Sequence, residues 1–172
     1  MNSNEIFLID ANALITPKLS FYPFDLAPSF WKQMGTHIAN GSVAILDMVK
    51  SEILQGNDEL TEWMRNLSIG TLNDRRDEKI LQNYSAILQH LQTNPCYKPS
   101  ALKEWARATV ADPWLIATAA VYNYTIITFE THIVGLNDRT PSKTAKIPDI
   151  ADVFGVKTAN LYYLMRTLGF LL

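Results

Sequence analysis

Asp10, Glu52, Asp112 and Glu130 are the side chains of this sequence whose type and setting can do chemistry. Asp10 ends the apolar run Ile6-Phe7-Leu8-Ile9 and is followed by Ala11-Asn12. Glu52 lies a turn beyond Asp47, in the helical pattern after the run Val43-Ala44-Ile45-Leu46. Asp112 stands before Pro113 at the start of a helix, and Glu130 closes Thr128-Phe129-Glu130 after a third apolar run. Carboxylates gathered from such places form an oxygen-only ligand set. That set suits hard cations such as Mg2+ or Mn2+, which keep several waters and engage phosphates. An ion held this way polarises a phosphoryl oxygen and lowers the pKa of a bound water, with no histidine base required.

Each residue also has a reading without chemistry. Asp112 before Pro113 is a helix N-cap followed by proline at N1. Asp10 can be a turn residue, Asn12 an Asx-turn former, and Glu52 or Glu130 a solvated carboxylate. Thr128 can serve as a β-branched strand residue. His37, His90 and His132 show no ligand spacing, and Cys96 has no histidine at a telling distance. The tryptophans Trp31, Trp63, Trp105 and Trp114 read as packing residues; Trp114, close to Asp112, can also line a cleft. No glycine-rich phosphate loop is present.

The elements that must position these residues follow from the apolar spacing. Residues 6–9 and 43–46 are short continuous apolar runs, the pattern of strands buried on both faces, and Thr125-Ile126-Ile127-Thr128-Phe129 reads as a third buried strand. Helical spacing covers 24–39, the stretch from Asp47 to near Gly56, Leu60 to Leu67, and Ile80 to Leu91, which Thr93-Asn94-Pro95 closes. Further helices are expected from Leu102 to Val110, from Asp112 through Ala120, and in the tail at Ile150–Phe154 and Leu161–Leu168. Residues 131–145 read as loop, and Lys146-Ile147-Pro148 as a short edge strand that tolerates proline. Strands alternating with helices predict β-α-β crossovers and an α/β fold with a mainly parallel sheet covered on both faces. In such a sheet ligands bind outside the carboxyl ends of the strands, where all four acids fall. No linker or internal repeat divides residues 1–172, so one domain is expected.

Composition sets the outer bounds. The chain has 172 residues, 48% hydrophobic and 19% charged, as ordinary globular proteins do. No apolar run approaches the ~20 residues that span a bilayer, and Met1–Glu5 lacks the basic start of a signal peptide. One cysteine excludes an internal disulfide and a cysteine zinc site. A cytoplasmic protein with no membrane partner is the expectation. The net charge of −2 is low for a protein that grips nucleic acid through phosphates, but cations bound to clustered carboxylates invert the local field.

The order of these motifs resembles the PIN-domain family. IFLIDAN matches its opening strand, with Asp10 and Asn12; DMVKSEI matches its glutamate, Glu52. ADPWLIATAAVYNYTIITFE matches its Asp at a helix start, alanine-rich helix, strand and Thr-x-acid turn, carrying Asp112, Thr128 and Glu130. KIPDIADVFGV resembles an uncharacterised PIN-like subfamily. The resemblance implies a three-layer α/β/α sandwich and metal-dependent cleavage of single-stranded RNA with Mg2+ or Mn2+. It implies Asp10, Glu52, Asp112 and Glu130 as metal ligands, with Asn12 and Thr128 orienting carboxylates or the attacking water. Many members are toxins of bacterial toxin–antitoxin pairs, so an antitoxin protein and a homodimer are expected partners. Glu130 stands where Asp or Asn is common, and Asp138 and Asp149 are substitutes for the fourth acid.

Two other classes remain open on sequence. One is a PIN-like scaffold that binds RNA or a protein without catalysis. The other is a phosphatase of the haloacid-dehalogenase type, whose Asp-x-Asp after the first strand is missing because residue 12 is Asn12. DNA also remains open as a substrate.

Overall fold

A computed structural model describes residues 5–172; Met1–Asn4, on which part of the leader expectation rests, lie outside the described residues. The apolar runs form parallel strands. The five are β1 (Phe7–Ile9), β2 (Val43–Leu46), β3 (Leu72–Asn73), β4 (Thr125–Ile127) and β5 (Thr158–Ala159). They lie in the order β3-β2-β1-β4-β5. Phe7 pairs with Val43 on one side and with Thr125 on the other, and every pairing is parallel. All residues of β1, β2 and β4 are buried. Continuous rather than alternating apolar runs are what a sheet covered on both faces demands. The fold is therefore the expected α/β/α sandwich around a parallel sheet.

The covering helices are α1 (Asn12–Thr16), α2 (Pro28–Ala39), α3 (Asp47–Leu54), α4 (Glu59–Arg65), α5 (Glu78–Thr93), α6 (Pro99–Trp105), α7 (Asp112–Tyr122), α8 (Ile147–Val153) and α9 (Leu161–Thr167). A π-helical turn, Pro17–Phe21, follows α1. Helix α2 packs on β2 and buries Phe30, Trp31, Met34 and Ile38, a stripe at helical spacing. Trp31 stacks on Phe24 at 4.1 Å between ring centroids. Helix α7 packs on β4, α5 and α8. Its joint with α5 includes Tyr84 stacked on Trp114 at 3.7 Å, so Trp114 is a packing residue. Asn123, at φ 55°, ends α7 in the left-handed conformation that asparagine tolerates, and the chain turns directly into β4.

Several expected boundaries move, each for a local reason. Lys146-Ile147-Pro148 is the start of α8 and not an edge strand. Proline in the first turn lacks an N–H that the helix would leave unpaired, and Asp149 sits favourably at that end. The edge position belongs to Thr158–Ala159, too short to show a strand period. Pro99 begins α6 three residues before Leu102, and the helix stops at Trp105 rather than Val110. Pro28 likewise sets the start of α2, leaving residues 24–27 outside it. Among the described residues no helix is long and apolar enough to cross a membrane.

Candidate active site

The strand order places β1 beside β4, with β2 and β3 on one side and β5 on the other. Such a reversal of winding opens a crevice at the carboxyl ends of the two central strands. Asp10 immediately follows β1, and Thr128-Phe129-Glu130 immediately follows β4. Because α7 leads directly into β4, its first residue, Asp112, starts at this same edge. Three of the acids are thus delivered by the topology itself.

Asp10 is 6% exposed. Its backbone N–H still donates to the Ile127 carbonyl, at 3.0 Å, which ties the residue to β4. Thr128 Oγ1 donates to Asp10 Oδ2, at 3.0 Å, and accepts from the Glu130 N–H, at 3.1 Å. Thr128 is buried at 3% exposure, so it is a link between two acids and more than a strand residue. Burial raises the Asp10 carboxyl from 3.8 to about 6; the Thr128 bond opposes this, while the charges of Glu130 and Glu52 add to it. An ionised carboxylate is costly in a low dielectric without a cation beside it.

Asp112 is the first residue of α7 and accepts no capping hydrogen bond; Ala111 holds the cap position. The capping role is therefore not what the carboxylate does. Burial raises it to about 7, and the charges of Asp10, Glu130 and Glu104 push in the same direction. Lys146 pulls the other way. The charge of Asp10 resists ionisation of Asp112. A buried and a half-buried carboxylate in this relation form a hard-oxygen donor pair.

The remaining candidates divide. Glu52, exposed on α3, is close enough to act on Asp10, and its own carboxyl is raised by the surrounding protein mass. Glu130 reaches the site, but both its oxygens are engaged: Oε1 accepts from Lys146 Nζ, at 3.1 Å, and Oε2 from the Ile147 N–H, at 2.7 Å. Asn12 is exposed at the start of α1. Asp149 accepts from the Ile133 N–H, at 3.1 Å, and Asp138 is exposed on the 131–145 loop. His132 pairs with Asp152, at 2.7 Å. Cys96 is a free, half-buried thiol.

Among the described residues, no group of three His, Cys, Asp or Glu is placed to wrap one ion. The donor chemistry nevertheless fits Mg2+ or Mn2+. Mg2+ is characteristically held by one or two carboxylates, with waters and substrate phosphate completing the shell. Asp10 and Asp112 supply that number, with Glu52 in range.

Two concavities adjoin Glu52 and a third adjoins Glu130. One, of about 240 Å³, is lined by Glu52, Ser51, Gln55, Thr109 and Arg75. A second, of about 150 Å³, shares Glu52 and contains Lys18. The third, of about 410 Å³, is lined by Thr128 and Glu130 together with His132, Asn160 and Tyr162. Arg75 lies 3.7 Å from Asp47 Oδ2, and Lys18 2.9 Å from Asp58.

Sequence reasoning missed Lys146, Glu104 and Arg75. The Ile-Pro-Asp start of α8 was the signal that could have found Lys146, since it marks a helix N-terminus rather than a strand. Glu104 lay hidden in a helix whose start was placed too late. The family model for a domain of unknown function, DUF4411, matches residues 7–172. The chain belongs to the DUF4411 family. That match takes in the whole sheet and every acid described above. Among curated proteins, this DUF4411 chain finds no match.

Proposed function

We propose that this DUF4411 protein is a metal-dependent ribonuclease that hydrolyses phosphodiester bonds of single-stranded RNA. The observation that carries the reading is the pair Asp10 and Asp112. Asp10 is buried and Asp112 half-buried at the sheet's winding reversal, and both are raised well above an ordinary aspartate. The motif order, which resembles that of PIN domains, supports it. Bound Mg2+ or Mn2+ supplies Lewis-acid polarisation of a phosphoryl oxygen and a water of lowered pKa.

The chain's own residues do the rest. Asp10 and Asp112 would hold the cation, and Thr128 fixes Asp10 by its hydrogen bond to Oδ2. Glu52, at the junction of two grooves, orients waters on the exposed side. Asn12 serves the same exposed side from the start of α1. Arg75 and Lys18 offer cations to the RNA backbone, a local basic contribution in a chain of net charge −2. On this reading the protein works in the cytoplasm as the toxin of a bacterial toxin–antitoxin pair. It forms a homodimer and is silenced by an antitoxin protein.

A second reading, a PIN-like scaffold without catalysis, draws on one observation: Glu130 has both oxygens engaged. Incubating the purified protein with labelled single-stranded RNA in Mg2+, Mn2+ or chelator separates the two. Cleavage that chelator abolishes supports the nuclease. Intact RNA with either metal, and no measurable divalent binding, favours the scaffold.

A further inference from the structure

Glu130 and Lys146 come from opposite ends of the 131–145 loop and meet at the edge of the acidic site. The ammonium lies 3.1 Å from Oε1, and the Ile147 N–H, 2.7 Å from Oε2, holds the carboxylate from its other side. Glu130 is the more enclosed partner, with its side chain 21% exposed against 42% for Lys146. The Glu130 N–H donates to Thr128 Oγ1, which donates to Asp10 Oδ2. Lys146 thus holds the Glu130 side chain, while the Glu130 backbone N–H is tied through Thr128 to Asp10, a carboxylate assigned to the metal. The charge of Lys146 also reaches Asp112, where it opposes the effect of the surrounding acids.

Two-ion phosphodiesterases place their cations about 3.5–4 Å apart, so that both the attacking and the leaving oxygen are stabilised. Here the fourth acid, the natural ligand of a second ion, is already neutralised by an ammonium. A lysine is a compact point charge suited to a phosphate oxygen. We propose that this centre holds a single divalent ion on Asp10 and Asp112, and that the Lys146 ammonium takes the place of the second ion, facing the substrate phosphate. This rests on the nuclease reading. Glu130 is then a positioning residue.

Calorimetric titration of the metal-free protein with Mn2+ alone tests this through stoichiometry. The wild type binds one ion per chain. Lys146→Met frees Glu130 and binds two, while Lys146→Arg, which keeps the charge, binds one. Because Lys146 caps α8, Lys146→Gln is the second variant; it keeps a hydrogen bond to Glu130 without the charge and also binds two. Adding Glu130→Gln to Lys146→Met returns the count to one. A wild type that binds two ions, neutral variants that bind only one, or an arginine variant that binds two would overturn the proposal and leave the nuclease reading standing. A wild type that binds none would sink both.

Discussion

Replacing Asp112 by asparagine should stabilise the metal-free protein at alkaline pH, although it removes a group assigned to the active site. The Asp112 carboxyl is raised from 3.8 to about 7. Its neutral form is favoured in the folded state, so the stability it contributes is complete below about pH 4 and is lost as pH rises through about 7. At ~1.4 kcal/mol for each pH unit of displacement, the charged carboxylate costs up to about 4 kcal/mol at pH 8. Water reaching a side chain that is not fully enclosed screens part of this, leaving about 2 kcal/mol or more. Asparagine has nearly the same shape and carries none of that cost. For a protein of this size ~1 kcal/mol moves Tm by ~2–4 °C. The variant should therefore melt at least ~4 °C above wild type at pH 8, with the difference vanishing near pH 4. Thermal unfolding in chelator, followed by circular dichroism between pH 4 and pH 8, measures it. A variant that melts below wild type at pH 8, or whose difference does not change with pH, refutes the claim that burial strains this carboxylate.

Three further outcomes follow from the same geometry. Mn2+ should raise the Tm of the wild type more at pH 8 than at pH 5, because Asp10 and Asp112, raised to about 6 and about 7, are both ionised only at the higher pH; equal shifts at the two values would contradict this. Thr128→Val removes the 3.0 Å bond to Asp10 and the acceptor of the Glu130 N–H. It should cost ~1–3 kcal/mol in denaturant unfolding and weaken Mn2+ binding; unchanged binding would show that the hydroxyl does not orient Asp10. Arg75→Gln should weaken binding of single-stranded RNA and reduce the slope of log K against log salt by ~0.7, as loss of one phosphate contact requires; an unchanged slope would remove Arg75 from the RNA path.

The central strands were legible because Phe7–Ile9, Val43–Leu46 and Thr125–Ile127 are continuous apolar runs, which few other settings produce. The edge strands were not. Leu72–Asn73 and Thr158–Ala159 have two residues each, and their conformation is imposed by pairing with a neighbour already in place. Asp10 and Asp112 could be placed at the carboxyl edge from their positions beside strand and helix ends. What sequence could not give is the state of Glu130. Its partners lie across a 15-residue loop whose polar composition gives no direction, and the Pro148 that signals a helix start was read as an edge-strand proline. Trp114 shows the same limit, since only the packing of α5 on α7 reveals Tyr84 as its partner.

The most direct test of the central claim compares wild type, Asp10→Asn and Asp112→Asn in cleavage of one labelled single-stranded RNA across a Mn2+ titration, with folding of each variant verified. The account predicts metal-dependent cleavage by wild type that both substitutions abolish, although the Asp112 variant is the more stable protein at alkaline pH. Cleavage that persists in either folded variant, or that proceeds in chelator, would contradict the assignment of Asp10 and Asp112 as the residues that hold the catalytic ion.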